Sequence, residues 1–142
     1  MRPRPYRFLP HTADIAVAAR GATLRVLFGH AASALFDLTT DRACVRPRRR
    51  KRVVARGLTI ENLLVRFLSE LLYLQEVGGW RFRVCRVTAL DRRACRLQAV
   101  AEGEPFDPEH HPRRREVKAI TYHRIAVRRR SGAWQVRFVL DV

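Results

Sequence analysis

The sequence is poor in acids and lysines, and it holds no long apolar run. Across 142 residues there are 13 Asp and Glu against 29 Lys and Arg, and the formal net charge is +16. No run of about eighteen consecutive apolar residues occurs, which excludes a multi-span helical membrane protein. The first ten residues carry three arginines and three prolines where a signal peptide would have an apolar core, so the expected compartment is the cytoplasm, with no membrane association. Three cysteines, Cys44, Cys85 and Cys95, lie far apart without a C-x-x-C, which points to reduced thiols rather than a disulfide framework or a zinc site. Cys85 and Cys95 fall in strand-like runs and read as small core or face residues. There is no G-x-x-x-x-G-K-[ST] phosphate loop, no G-x-G-x-x-G and no G-x-S-x-G elbow. These absences argue against a self-contained nucleotide-consuming enzyme.

What is present is enough for a folded core. Hydrophobic residues make up 47% of the chain, and its length predicts a single domain over 1–142. Tyr6 to Leu9 and Ile15 to Ala19 alternate as strands do. Thr23 is a helix cap, followed by Leu24, Leu27, Phe28, Ala31, Leu35 and Leu38 on one stripe, with Asp41 closing the unit. A basic run from Arg46 leads into a short strand at Val53 and Val54, closed by Gly57. Thr59 caps a second helix with Ile60, Leu63, Leu64, Phe67, Leu68, Leu71 and Leu72 on its apolar face, stopped at Gly78-Gly79. The period then changes to two, through Leu97, Ala99 and Ala101. A loop follows over 103–112, where His110-His111 reads as exposed. Val117 to Val127 resumes the alternation, 128–133 reads as a hairpin turn, and Trp134, Val136, Phe138 and Leu140 form the last buried face. The predicted class is α+β, with two amphipathic helices packed on a mostly antiparallel β-sheet.

The positive charge is segmental. Residues 42–56 carry eight basic groups and no acid, and residues 113–130 carry eight against one. Such segments attract polyanions, RNA above all, through phosphate neutralisation and counterion release. A solvated arginine face accounts for them equally well.

The scarce carboxylates are informative by position. Alternation turns Asp141 away from Leu140 and Phe138, onto the face of Arg137 and Gln135. The α-carboxylate of Val142 would lie close to it, and hard divalent ions take oxygen ligands of this kind. A neighbouring arginine such as Arg137 would neutralise the same charges without an ion. Asp14, at the mouth of a strand after His11-Thr12-Ala13, offers a turn cap or a further carboxylate for a shared site. His11 is a candidate for orienting Asp14, for proton transfer or for metal binding. Lys118, one of only two lysines, offers a compact ammonium on the same rim, with Tyr122 and His123 ending its strand.

Several segments together resemble the archease family: Y-R-F-L-P-H-T-A-D-I at 6–15, A-L-F-D-L-T-T-D at 34–41, L-L-V-R-F-L-S-E-L-L-Y-L at 63–74, G-E-P-F-D-P-E-H-H at 103–111, E-V-K-A-I-T-Y-H at 116–123 and F-V-L-D-V at 138–142. Relatives usually read closer to L-L-V-D-W-L-N-E-L-L in the second helix, where this chain has Arg66, Phe67 and Ser69, and many are far more acidic. The resemblance implies a protein cofactor, not an enzyme: an activator of the RtcB-type RNA ligase of tRNA splicing and RNA repair, promoting guanylylation and multiple turnover. It also implies a divalent metal ion, calcium or manganese, on Asp14, Asp141 and Val142, with Lys118 as a further functional position and His11 as a candidate beside it. The alternative expectation is a basic RNA-binding or RNA-chaperone module that works through 42–56 and 113–130 without the ligase.

Overall fold

The computed structural model describes residues 4–9 and 14–142. The elements run β1 (Tyr6–Leu9), β2 (Asp14–Gly21), α1 (Leu24–Thr39), a 3₁₀ turn (Arg42–Cys44), β3 (Arg49–Arg56), α2 (Ile60–Glu76), β4 (Trp80–Asp91), β5 (Arg96–Pro105), β6 (Ala119–Arg130) and β7 (Ala133–Asp141). Both helix starts are the capped threonines. Thr23 Oγ1 accepts from the Val26 backbone N–H at 3.2 Å, and Thr59 Oγ1 from that of Asn62 at 3.0 Å. Each satisfies a donor that the first helical turn leaves open. After α2, Gly78 and Gly79 break the helix, and Gly79 adopts a left-handed φ of 73°.

The expected single sheet is two sheets. One has four strands in the order β1-β2-β7-β6 and the other three in the order β3-β5-β4, and every pairing is antiparallel. The helices bridge them: α1 packs on β4 and β2, α2 on β6 and β3. Between them lies one core, with Phe28 stacked on Phe67 at 6.1 Å between ring centroids and Phe36 against Phe82 at 5.4 Å. All four rings are fully buried, each contributing up to about 3 kcal/mol from apolar area alone.

Four local readings need correction. β3 is longer than a strand at Val53 and Val54, because its exposed Arg49 to Arg52 continue the ladder with β5 through their backbone. β5 runs on through Pro105, so Gly103 and Glu104 belong to a strand rather than the loop. The backbone approach there is so close that a Cβ on Gly103 would stand 2.0 Å from the Arg81 carbonyl oxygen. Cys95 sits in the β4–β5 turn with a left-handed φ of 49°, not in a strand, whereas Cys85 is a core residue whose thiol burial pushes up to about 12. Finally, His111 is buried, not exposed.

Candidate functional site

The register of the four-stranded sheet brings the start of β2 and the end of β7 together. Asp14, the first residue of β2, stands directly opposite Asp141, the last of β7. Side chains opposed in this way project from the same face with Cβ atoms about 4.5–5.5 Å apart. On the other flank of β7, Ala119 pairs with Asp141, and the Lys118 backbone N–H donates to the Asp141 carbonyl oxygen at 2.7 Å. Asp141 and Lys118 are exposed, Asp14 is half-buried, and Val142 is half-buried against the core. The structure therefore gathers Asp14, Lys118, Asp141 and Val142 on one rim. His11 lies outside the described residues.

Tyr122 makes its contact at the start of α2 rather than on that rim. Between Thr121 and Ala126 the β6–β7 register slips, and Arg124 takes a left-handed φ of 52°. This bulged part of β6 packs on α2, where the Tyr122 hydroxyl accepts from the Asn62 side-chain amide at 2.5 Å and Glu61 accepts from the Val127 N–H at 2.8 Å. Tyr122 is thus committed to joining β6 to the start of α2.

A second polar cluster was not legible as such. His111 Nδ1 accepts the Asp107 N–H at 2.9 Å, so the ring hydrogen sits on Nε2, which donates to Glu104 at 2.9 Å. Glu104 also accepts from the Arg46 backbone N–H at 2.8 Å and from its Nε at 3.2 Å. Burial alone would push the Glu104 carboxyl up, but the Arg46 backbone donor, His111 and the Arg46 charge outweigh it and hold it at about 2. Potential ligand atoms of Glu104, His110 and His111 lie within 4.8 Å of one another. Both His111 nitrogens are already engaged, so the cluster is a built anchor for the 105–112 loop rather than a vacant metal cage. Arg81 and Arg113 each lie 4.5 Å from the Phe106 ring centre and fasten the same loop. The sequence signal was the G-E-P-F-D-P-E-H-H segment itself, whose Glu and second His meet across six intervening residues.

At the end of α1, beside the segment that follows this loop, Tyr6 donates its hydroxyl hydrogen to Asp37, which also takes the Arg42 guanidinium at 3.0 Å. Burial, then the hydrogen bond to Asp37, pushes the Tyr6 phenol up to about 12, and the trio ties β1 to the end of α1.

No helix among the described residues is long and apolar enough to cross a membrane. Residues 6–142 match the sequence model of the Archease protein family (MTH1598/TM1083). A protein named Protein archease from Aeropyrum pernix is 39% identical over 135 residues, covering 93% of each chain. Its namesake from Methanosarcina acetivorans is 37% identical over 142 residues, covering 98% of this chain and 97% of that one. Among solved structures, that of Methanobacterium thermoautotrophicum protein 1598 superposes with a TM-score of 0.75 at 28% identity, covering 97% and 99% of the two chains. The fold is also that of a Thermotoga maritima protein described as an archease and possible chaperone, with a TM-score of 0.62 at 19% identity, covering 100% and 98%.

Proposed function

The chain belongs to the archease family, and from that premise we propose that it is a protein cofactor of an RtcB-type RNA ligase, acting in trans to promote guanylylation and multiple turnover. The observation that carries this reading is the placement of Asp14 opposite Asp141, with Lys118 bound to the Asp141 backbone. Two carboxylates directly opposed across a ladder repel one another, and a cation between them relieves that cost. Their oxygens are the hard donors that calcium and manganese accept, so the residues fit a divalent ion. Asp14 and Asp141 would hold it, with Val142 beside them as a third ligand position. When bound, such an ion supplies positive charge against a transferring phosphoryl group.

The chain's own residues contribute the frame. The β2–β7 ladder fixes the two carboxylates on one face, and the Lys118 N–H pins the carbonyl of Asp141, so neither strand end is left without backbone support at the rim. Lys118 is exposed beside the rim, where its ammonium would be open to a phosphate. The rim presents this charge pattern to a partner and needs no nucleophile or reaction of its own.

The test is a guanylylation time course with ligase, GTP and manganese. Asp14→Ala and Asp141→Ala are expected to lose the stimulation that the parent chain gives, while calcium or manganese raises the melting temperature of the parent and not of these variants. Stimulation by both variants at the parent's level refutes the site.

A further inference from the structure

The open face of the four-stranded sheet carries a feature that the ligase reading leaves unused: a concave site of about 850 Å³ whose lining includes seven arginines. Register explains how it is built. One row across the sheet reads Arg7, Ala18, Arg137, Ala126, and the next reads Arg20, Gln135, Arg128. Side chains opposed across an antiparallel ladder share a face, so arginine alternates with alanine across the floor. Ala18 and Ala126 leave the hollow, and the flanking guanidiniums wall it. Arg4, Arg124 and Arg130 add further guanidiniums to the lining, beside Ala19 and Val136. Among the described lining residues there is no Asp, no Glu and no aromatic ring.

We infer that this groove holds the sugar–phosphate backbone of RNA. Planar guanidiniums grip phosphate oxygens in pairs, and a wall of them without any acid is matched only by a densely charged polyanion. Successive arginines on one strand, such as Arg128 and Arg130, are about 7 Å apart, a spacing comparable to that of neighbouring phosphates. The lack of an aromatic platform means that the groove follows the backbone and does not stack bases, so it reads no sequence. An acidic protein face is the less apt occupant, because isolated carboxylates would leave most of these guanidiniums unpaired. The choice of RNA over DNA rests on the ligase reading; the phosphate contact rests on the groove alone. This placement also revises the basic-segment expectation. Residues 113–130 supply Arg124, Arg128 and Arg130, whereas none of 42–56 lines the groove.

The two ends of the face are chemically opposite. Arg137 precedes Asp141 by four residues on β7, about 13 Å along the strand, so a bound phosphate chain is drawn to the arginine end and turned away from the carboxylate rim.

The experiment is fluorescence anisotropy of a labelled RNA hairpin with the full chain and no ligase, at salt from about 50 to about 200 mM. If every groove arginine meets a phosphate, log K falls against log salt with a slope of up to about −6. Arg128→Gln with Arg137→Gln is expected to flatten that slope by about 2 and to weaken binding roughly tenfold or more at the lower salt. Arg128→Lys with Arg137→Lys keeps the charge and restores most of the slope. Arg49→Gln with Arg50→Gln, which removes equal charge from β3, is expected to change affinity by no more than about threefold. All four positions are exposed, and circular dichroism confirms folding of each variant. The proposal is overturned if the β3 pair weakens RNA binding as much as the groove pair, since the attraction is then diffuse. It is overturned equally if the groove pair binds RNA like the parent but fails to bind purified ligase, since the occupant is then protein. Because ligase is absent from the binding measurement, its outcome is independent of the guanylylation test.

Discussion

Removing the Glu104 carboxylate is the sharpest test of how the 105–112 loop is held. Glu104→Ala deprives three donors of their acceptor: His111 Nε2, the Arg46 amide and Arg46 Nε. They are not equal. The Arg46 side chain is 45% exposed and recovers water, whereas His111 is fully buried and cannot. One fully buried and one part-buried donor to a charged acceptor, at about 1.5–3 kcal/mol each, set the loss at ~3–6 kcal/mol, close to the usual cost of breaking a buried pair. For a chain of this size that is a fall in melting temperature of roughly 10–20 °C, read by calorimetry at neutral pH. Glu104→Gln keeps one acceptor oxygen and gives the cleaner pH experiment. A carboxyl held at about 2 instead of its ordinary 4.5 adds stability that is fully present above the ordinary value and is lost as the pH falls toward 2. The stability gap between the parent and Glu104→Gln is therefore expected to be constant at neutral pH and to close between about 4.5 and 2. A gap unchanged down to the bottom of that range, or a cost for Glu104→Ala below about 1 kcal/mol, refutes the reasoning.

Two further outcomes are expected. Gly103→Ala drives a methyl into the β4 backbone at Arg81 and Phe82, and should cost about 3 kcal/mol or more in urea unfolding, because backbone cannot move aside as a side chain can. Phe67→Ala removes half of the Phe28–Phe67 stack at the helix crossing and should cost ~3–5 kcal/mol by the same measurement, with no change in RNA affinity.

The helices were legible because their signals are local. A threonine cap and a stripe of leucines lie within a few turns of each other, and no distant residue is needed to interpret them. The strands were legible as strands but not as sheets. Alternation in Val136, Phe138 and Leu140 tells which face is buried, yet it does not say that β7 pairs with β2 while β5 pairs with β3. Position at a strand end leaves Asp14 either a turn cap or a further carboxylate, the family resemblance joins it to Asp141, and the register adds that the two are direct neighbours. His111 was misread because a histidine among acids and prolines has the composition of a solvated loop. Its ring instead packs beside Phe106 and bonds to Glu104, a carboxylate that Arg46, just before β3, also grips. The arginine groove escaped for the complementary reason. Arg7, Arg20 and Arg137 lie far in the chain from the dense run near residue 128, and only folding adds them to it.

The position of β7 between β2 and β6 has a kinetic consequence. β4 and β5 are joined by a short turn, so that hairpin can form on the microsecond scale from neighbouring residues. The β2–β7 ladder instead closes the chain from its fourteenth residue to its hundred and forty-first, the most costly loop in the fold. High contact order of this kind slows folding toward the millisecond-to-second range and leaves β2 with an unpaired edge in the interim. Any chaperone that meets this chain while it folds would therefore find β2 open, waiting for the strand that completes its sheet.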